Sequence, residues 1–499
     1  MNKAKRNIVS TLISQLVTTM CGVVIPIVMI SVFGSAMYGL TTSIAQFLSY
    51  ISLLEGGIAR VARAELYVPL VRNDNYEVSR VYHAIKRFFT FVGVAFLGYT
   101  LLMSLVYFDI AQVTDVGRTY TFFMIWVISA GTLAKYMGGI SNLTLLNADQ
   151  KQYVGNVIVT IATILIALFV VVLSKAGCAL LVVKIGSSLV YKAQPVCYSL
   201  YVKKHYKLPP VGKDISKLQQ KWTGMGQHIA YFLHTNTDVV ILTLFADLRS
   251  VAVYSVYRLV ISSIRKITAS FSSGMEAAFG EKIAKNEHSA LLNIFFKYKH
   301  MLSFVSLVLF GTTAVLVVPF VRLYTAGVTD ADYIQPVFAV VLLFAEAIDC
   351  FMHPCCSLPI SANKLRETRW GSYGEAAINV VLSLVMVQWS PLVGIALATL
   401  VATVFKSIYY MHYSAKHILR IRFGTLLKNY LIINGSLGLF ALAGIFLMAN
   451  IQMASYFVWF LWGIVVFSAV SIISTAVYSV FYPLELKAVL LSVAQKVKR

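Results

Sequence analysis

The chain is poor in charge and poorer still in acid. Charged residues make up 12% of its 499 residues, and Lys plus Arg outnumber Asp plus Glu by 42 to 20. A string of soluble domains would carry about twice that charged share, so that class is excluded. Cysteine is scarce too. Cys21, Cys178, Cys197, Cys350, Cys355 and Cys356 fall mostly within apolar segments without metal-ligand spacing, and read as small buried hydrophobes. A phosphate-binding loop is missing, because the Gly-Lys pair at Gly212-Lys213 has Lys207 where the first glycine of that loop would stand. Also missing is any long external connection that could house a polymerase or ligase. Asp330-Ala331-Asp332 matches a D-x-D pattern but lies in a short turn, where capping of the next span is the expected role. Neither an enzyme, a cofactor nor a metal is expected. No small-residue cleavage site follows Lys3, Lys5 and Arg6, so the first apolar stretch reads as an uncleaved helix.

What the chain has in abundance is hydrophobic sequence, at 59%. It falls into about fourteen spans, near 9–32, 38–62, 88–110, 119–143, 153–174, 177–200, 226–246, 251–277, 300–324, 334–357, 367–388, 392–413, 429–449 and 456–480. Each is long enough to cross ~30 Å of hydrocarbon. Most of the basic residues occupy the two termini and the connections after even-numbered spans. The opposite connections hold only Arg118, Lys175 and Arg249. By the positive-inside rule this predicts a multi-pass protein of the inner (cytoplasmic) membrane with both termini in the cytoplasm. The +22 balance is therefore a topology signal facing anionic lipid headgroups. No basic cluster is interleaved with base-stacking aromatics, so nucleic acid is not a partner.

The expected fold class is all-α, with two six-helix bundles as N and C halves plus two C-terminal helices. Residues 1–200 form the first bundle and 226–415 the second. Residues 416–482 add two spans, and 483–499 form a cytoplasmic amphipathic tail. The 201–225 connection holds Asp214 as an N-cap, then Ile215, Leu218 and Trp222 opposite Lys213, Lys217 and Lys221, which predicts a helix in the headgroup layer. The halves look weakly repeated: Phe33-Gly34 and Tyr38-Gly39 lead into span 2 as Phe245-Ala246-Asp247 and Tyr254-Ser255 lead into span 8.

A charge at mid-bilayer costs about 2.5 to 3.5 kcal/mol on insertion scales, so ionisable residues inside spans are functional candidates. Arg258, Arg265, Lys184, Lys192, Arg60 and Arg63 are the candidate ligands for an anionic headgroup, Arg258 and Arg265 sharing one face of span 8. Lys135, Lys266 and Lys406 are further cations within spans. Asp238, Glu346, Asp349, His353 and Glu55 are candidates for proton or sodium coupling, with His234 one turn before Asp238 and Glu375 sharing the ambiguity. The same acids can instead serve only to neutralise the basic residues opposite.

A series of short motifs runs in order from residue 6 to about 410. It comprises Arg6-Asn7, Ser14-Gln15, Pro26, Phe33-Gly34, Tyr38-Gly39-Leu40, Leu53-Leu54-Glu55-Gly56-Gly57, Asn236-Thr237-Asp238, Tyr254-Ser255-Val256-Tyr257, Pro319 to Thr325, Asp332-Tyr333, Glu375 to Asn379 and Gly394-Ile395-Ala396. In these the chain resembles the polysaccharide-transport flippases (O-antigen repeat type) of the multidrug/oligosaccharidyl-lipid/polysaccharide (MOP) exporter superfamily. It departs from many of them at Ala396-Leu397-Ala398-Thr399, where they carry Gly-Thr. The resemblance implies two six-helix bundles facing a central cavity and alternating access. The implied cargo is an undecaprenyl-diphosphate-linked oligosaccharide, flipped outward for polysaccharide assembly. Its implied partners are membrane lipids, a polysaccharide polymerase and glycosyltransferases. Two alternatives stay open: a drug or cation exporter of the same superfamily, and a non-transport membrane subunit or enzyme of polysaccharide assembly.

Overall fold

The computed structural model describes residues 3–55, 58–211, 225–270, 275–448, 453 and 455–483. The expected interfacial helix of the 201–225 connection and the amphipathic tail fall on 212–224 and 484–499, outside the described residues. Among the described residues the regular structure is helical throughout, with no strand. The helices are α1 (Lys3–Phe33), α2 (Ser35–Ser49), α3 (Ile58–Val71), α4 (Asn75–Ile110), α5 (Arg118–Ala134), α6 (Ile140–Ala148), α7 (Gln152–Lys175), α8 (Leu180–His205) and α9 (Met225–Phe245). There follow α10 (Leu248–Ser270), α11 (Met275–Ala284), α12 (His288–Tyr324), α13 (Pro336–Ser361), α14 (Leu365–Met386), α15 (Pro391–Tyr413), α16 (Phe423–Met448) and α17 (Tyr456–Phe481).

Nine helical segments among the described residues are long and apolar enough to cross a bilayer, fewer than the fourteen spans read from sequence. The difference has a physical cause. The second span is divided into α2 and α3, of 15 and 14 residues. α8 carries Lys184 and Lys192, α10 carries Arg258, Arg265 and Lys266, and α14 carries Glu375, each lowering the apolar content that lipid contact demands. α9 likewise includes His228, His234 and Asp238.

The chain divides into two compact units, Met1–Phe232 with Leu242–Ala252, and Leu233–Ile241 with Val253–Arg499. In the first, α1 ends at Gly34, whose φ of 85° is strained for any residue with a Cβ. Its core is built from fully buried Phe89, Phe96, Leu145 and Tyr107, the last donating to Ser43 Oγ at 2.7 Å. Asp74 caps α4 by accepting from the Tyr76 and Glu77 amides, both at 3.1 Å. A widened π-turn over Lys135–Gly139 joins α5 to α6. In the second unit α12 is packed by α11, α13 and α16 around Phe279, Phe295 and Tyr298, and α17 packs on it through Tyr478 against His300 and Phe304.

Both units reverse direction with the same device. Asn73 between α3 and α4 has a left-handed φ of 53°, and Asn286 between α11 and α12 has 56°. Gln150 between α6 and α7 and Asn363 between α13 and α14 both have 55°. A single left-handed residue closes the helix C-terminus at each place.

Candidate functional site

Five helices, α9, α10, α13, α14 and α15, supply one buried ionic network in the second unit. Tyr254, Arg258 and Arg265 recur on one face of α10, and Glu346 and Asp349 stand one turn apart on α13. Arg265 donates to Glu346 Oε2 at 2.7 Å and to Asp349 Oδ2 at 2.8 Å. Lys406 on α15 bridges Asp349 Oδ1 at 3.0 Å and Glu375 Oε1 of α14 at 3.1 Å. Arg258 donates to the Tyr254 hydroxyl at 2.8 Å and the Thr235 carbonyl at 3.0 Å, and lies 3.8 Å from Glu346 and 3.9 Å from Asp238. Tyr254 in turn donates to Asp238 Oδ2 at 2.6 Å, and His234 Nε2 is 3.3 Å from Glu375 Oε1.

These groups are deep: Asp238, Glu375 and Glu346 are 1%, 4% and 7% exposed. Such burial is tolerable only because each charge has a partner, since an isolated ion would be left without solvation. Among the described residues three cationic side chains, Arg258, Arg265 and Lys406, face four carboxyl groups, Asp238, Glu346, Asp349 and Glu375. With His234 neutral, full ionisation would leave one negative charge in excess. Two side-chain oxygens here, Asp238 Oδ1 and Asn379 Oδ1, have no hydrogen-bond partner among the described residues, nor does His234 Nδ1. Thr399 stands beside Asp238 and accepts from Asn379 Nδ2 at 3.0 Å, so the two orphan oxygens belong to residues flanking one hydroxyl.

The residues expected to hold an anion or couple an ion thus have three fates. Arg258 and Arg265 are committed to the acids Asp238, Glu346 and Asp349. His353 lies beyond the network and pairs with the Tyr298 hydroxyl at 3.3 Å. Lys184, Lys192, Arg63 and Glu55 belong to the first unit. There Glu55 accepts from the Tyr136 hydroxyl at 2.6 Å, Arg63 Nε is buried without a hydrogen-bond partner among the described residues, and neither lysine pairs with any described residue. The Arg60 side chain lies outside the described residues. Sequence reading placed Lys406 among the in-span cations without joining it to the acids. Its signal was available, since α15 contains no other Lys, Arg, Asp or Glu.

On the connection between α6 and α7, outside the spans, Asp149 gathers Lys151 at 2.8 Å, Lys3 at 3.2 Å and the Tyr206 hydroxyl at 2.6 Å. Burial would raise its pKa, but the hydrogen bonds from Lys151, Tyr206 and Lys3 outweigh burial and hold the carboxyl below its ordinary value. Burial and the bond to Asp149 push the Tyr206 hydroxyl up.

No protein-family model matches the chain, and no curated protein matches it in sequence. Solved structures do match. The chain is similar to the lipid II flippase MurJ in an inward closed conformation, with a TM-score of 0.70 at 14% identity over 95% of this chain and 98% of that one. It is similar to an inward-facing multidrug resistance MATE family transporter of the MOP superfamily, with a TM-score of 0.54 at 13% identity over 85% of this chain and 99% of that one. The MATE multidrug transporter DinF-BH in complex with R6G gives 0.54 at 14% identity, over 84% and 96%. By these matches the chain shares its fold with these membrane transport proteins.

Proposed function

We propose that this protein is a flippase for an anionic, undecaprenyl-diphosphate-linked oligosaccharide, working by alternating access in the cytoplasmic membrane for polysaccharide assembly. The observation that carries the reading is the extent of the fold match. The MATE chains are used up at 84 to 85% of this chain, whereas the lipid flippase matches 95% of it with a higher TM-score. Unpartnered cations add support. Arg63, Lys184 and Lys192 have their charge unspent among the described residues, as a diphosphate ligand would need. Arg258 and Arg265 hold acids in place and set the shape of the second unit. A drug-exporting protein would favour acidic, cation-accepting surfaces instead.

The test is reconstitution in vesicles with a fluorescent undecaprenyl-diphosphate saccharide. Flipping is expected, and Arg63→Gln with Lys184→Gln should lower its rate at unchanged protein level. Loss of one charge-assisted contact is worth about 1.5 to 3 kcal/mol, roughly ten- to a hundredfold in rate. Efflux of a cationic dye with no movement of the saccharide lipid would overturn the proposal in favour of a drug exporter.

For the energy source, two charges moving out of an inside-negative cell gain about 4.6 kcal/mol per 100 mV, from about 2.3 per charge. We propose that this potential drives the outward step. A single proton or sodium ion held at the excess carboxylate of the network would then reset the empty protein. If flipping persists undiminished with the potential collapsed and an ion gradient kept, the network is the driving site and the potential is not.

A further inference from the structure

Away from the ionic network, the C-terminal ends of α12 and α16 and the start of α13 line a partly open apolar cavity of about 130 Å³. Its wall is Val315, Val318, Pro319, Val340 and Ile445, with Arg322 as the lining residue that carries a charge. A single water needs only about 10 to 15 Å³ on a comparable measure, and apolar cavities of such size stay dry and accept hydrocarbon. Ala314 and Gly444 also line it, and there α12 and α16 approach closely. A Cβ on Gly444 would come within 2.8 Å of the Ala314 carbonyl oxygen.

Arg322 has no hydrogen bond or ion pair with any described residue. The depth at which it sits is marked by aromatic groups. Trp459 Nε1 donates to the Leu316 carbonyl at 3.3 Å and the ring packs 5.2 Å from Phe320, while the Tyr456 hydroxyl donates to the Leu323 carbonyl at 3.4 Å. Trp and Tyr with this amphipathic placement belong to the headgroup level of a bilayer. By the charge asymmetry of the connections, this level is that of the external leaflet.

A guanidinium at headgroup depth above a dry hydrocarbon slot is complementary to one class of molecule. We propose that this pocket binds an anionic phospholipid of the external leaflet, its phosphate on Arg322 and one acyl chain between α12, α13 and α16. The bond is a charge-assisted one from guanidinium to phosphate, and the chain replaces lipid that would otherwise bridge the gap poorly. The site is independent of what the protein transports, and its lipid stays bound through the cycle.

The experiment uses the full chain purified in neutral detergent, with dioleoyl phosphatidylglycerol and dioleoyl phosphatidylcholine as probes. Phosphatidylglycerol is expected to raise the apparent melting temperature more than phosphatidylcholine. Arg322→Gln should remove that difference, whereas Lys428→Gln, an exposed charge at the other end of α16, should keep it. Native mass spectrometry gives a second readout: a phosphatidylglycerol adduct should survive activation that strips phosphatidylcholine, and be lost in Val340→Trp, which fills the slot. Equal stabilisation by both lipids, or a preference that survives Arg322→Gln, overturns the proposal. A retained adduct in Val340→Trp overturns the placement of the chain.

Discussion

Arg265 on α10 and Asp349 on α13 form a 2.8 Å hydrogen-bonded ion pair, and Asp349 turns its other oxygen to Lys406. One carboxylate therefore ties α10, α13 and α15 together. Asp349→Asn would leave two cations short of charge, and breaking a buried pair by removing one partner costs about 3 to 5 kcal/mol. A lowered melting temperature of the purified protein is expected. The double variant Arg265→Gln with Asp349→Asn should recover part of the loss, because the remaining Lys406 keeps Glu375. Equal or greater destabilisation in the double variant would show that the pair is not the unit that matters.

Asp149 makes the stability of the first unit sensitive to acid. Its carboxyl titrates below its ordinary 3.8 when folded, so the folded state holds fewer protons than the unfolded one. The contribution is present in full well above pH 3.8, and fades as pH falls through the folded-state value. Melting curves from pH 6 to pH 3 should show wild type exceeding Asp149→Asn by a few degrees at the upper end, the gap closing at the lower end. A gap that does not change with pH would mean that Asp149 acts through packing alone.

Gly394 stands at the start of α15 where a Cβ would meet the Met386 carbonyl oxygen at 2.2 Å. Backbone cannot yield as a flexible side chain can. Gly394→Val should cost at least the 1 to 3 kcal/mol of ordinary overpacking, roughly, and reduce the folded yield seen by size-exclusion chromatography. A wild-type elution profile at normal yield would contradict the close approach of the α14–α15 turn.

Topology offers a fourth test. Reporter fusions near Tyr206 and at the C-terminus should signal cytoplasm, and one at Asp330 the exterior, as the distribution of Lys and Arg requires. An exterior signal at the C-terminus would require an odd number of crossings.

The helical class was legible because long apolar runs have few other uses, whereas the sidedness that the basic residues suggest is what the reporter fusions would test. What sequence could not show was pairing. Arg258 and Arg265 read as ligands because helical spacing puts them on one face, but spacing says nothing of which acids another helix brings to that face. Glu346 and Asp349 answer Arg265 from 81 and 84 residues away. His353 continued the acidic row by periodicity, yet one further turn carried it to Tyr298. The split of the second span between α2 and α3 was equally hidden, since apolar content alone does not reveal where a helix breaks.

The left-handed residues Asn73 and Gln150 in the first unit, and Asn286 and Asn363 in the second, each follow the C-terminus of a helix. Backbone geometry at a tight reversal is slow to change, because few residues accept a positive φ and a new one must be tolerated at once. A β-branched side chain at any of these four corners would crowd its own backbone, so the corners restrict sequence more tightly than the helices they join.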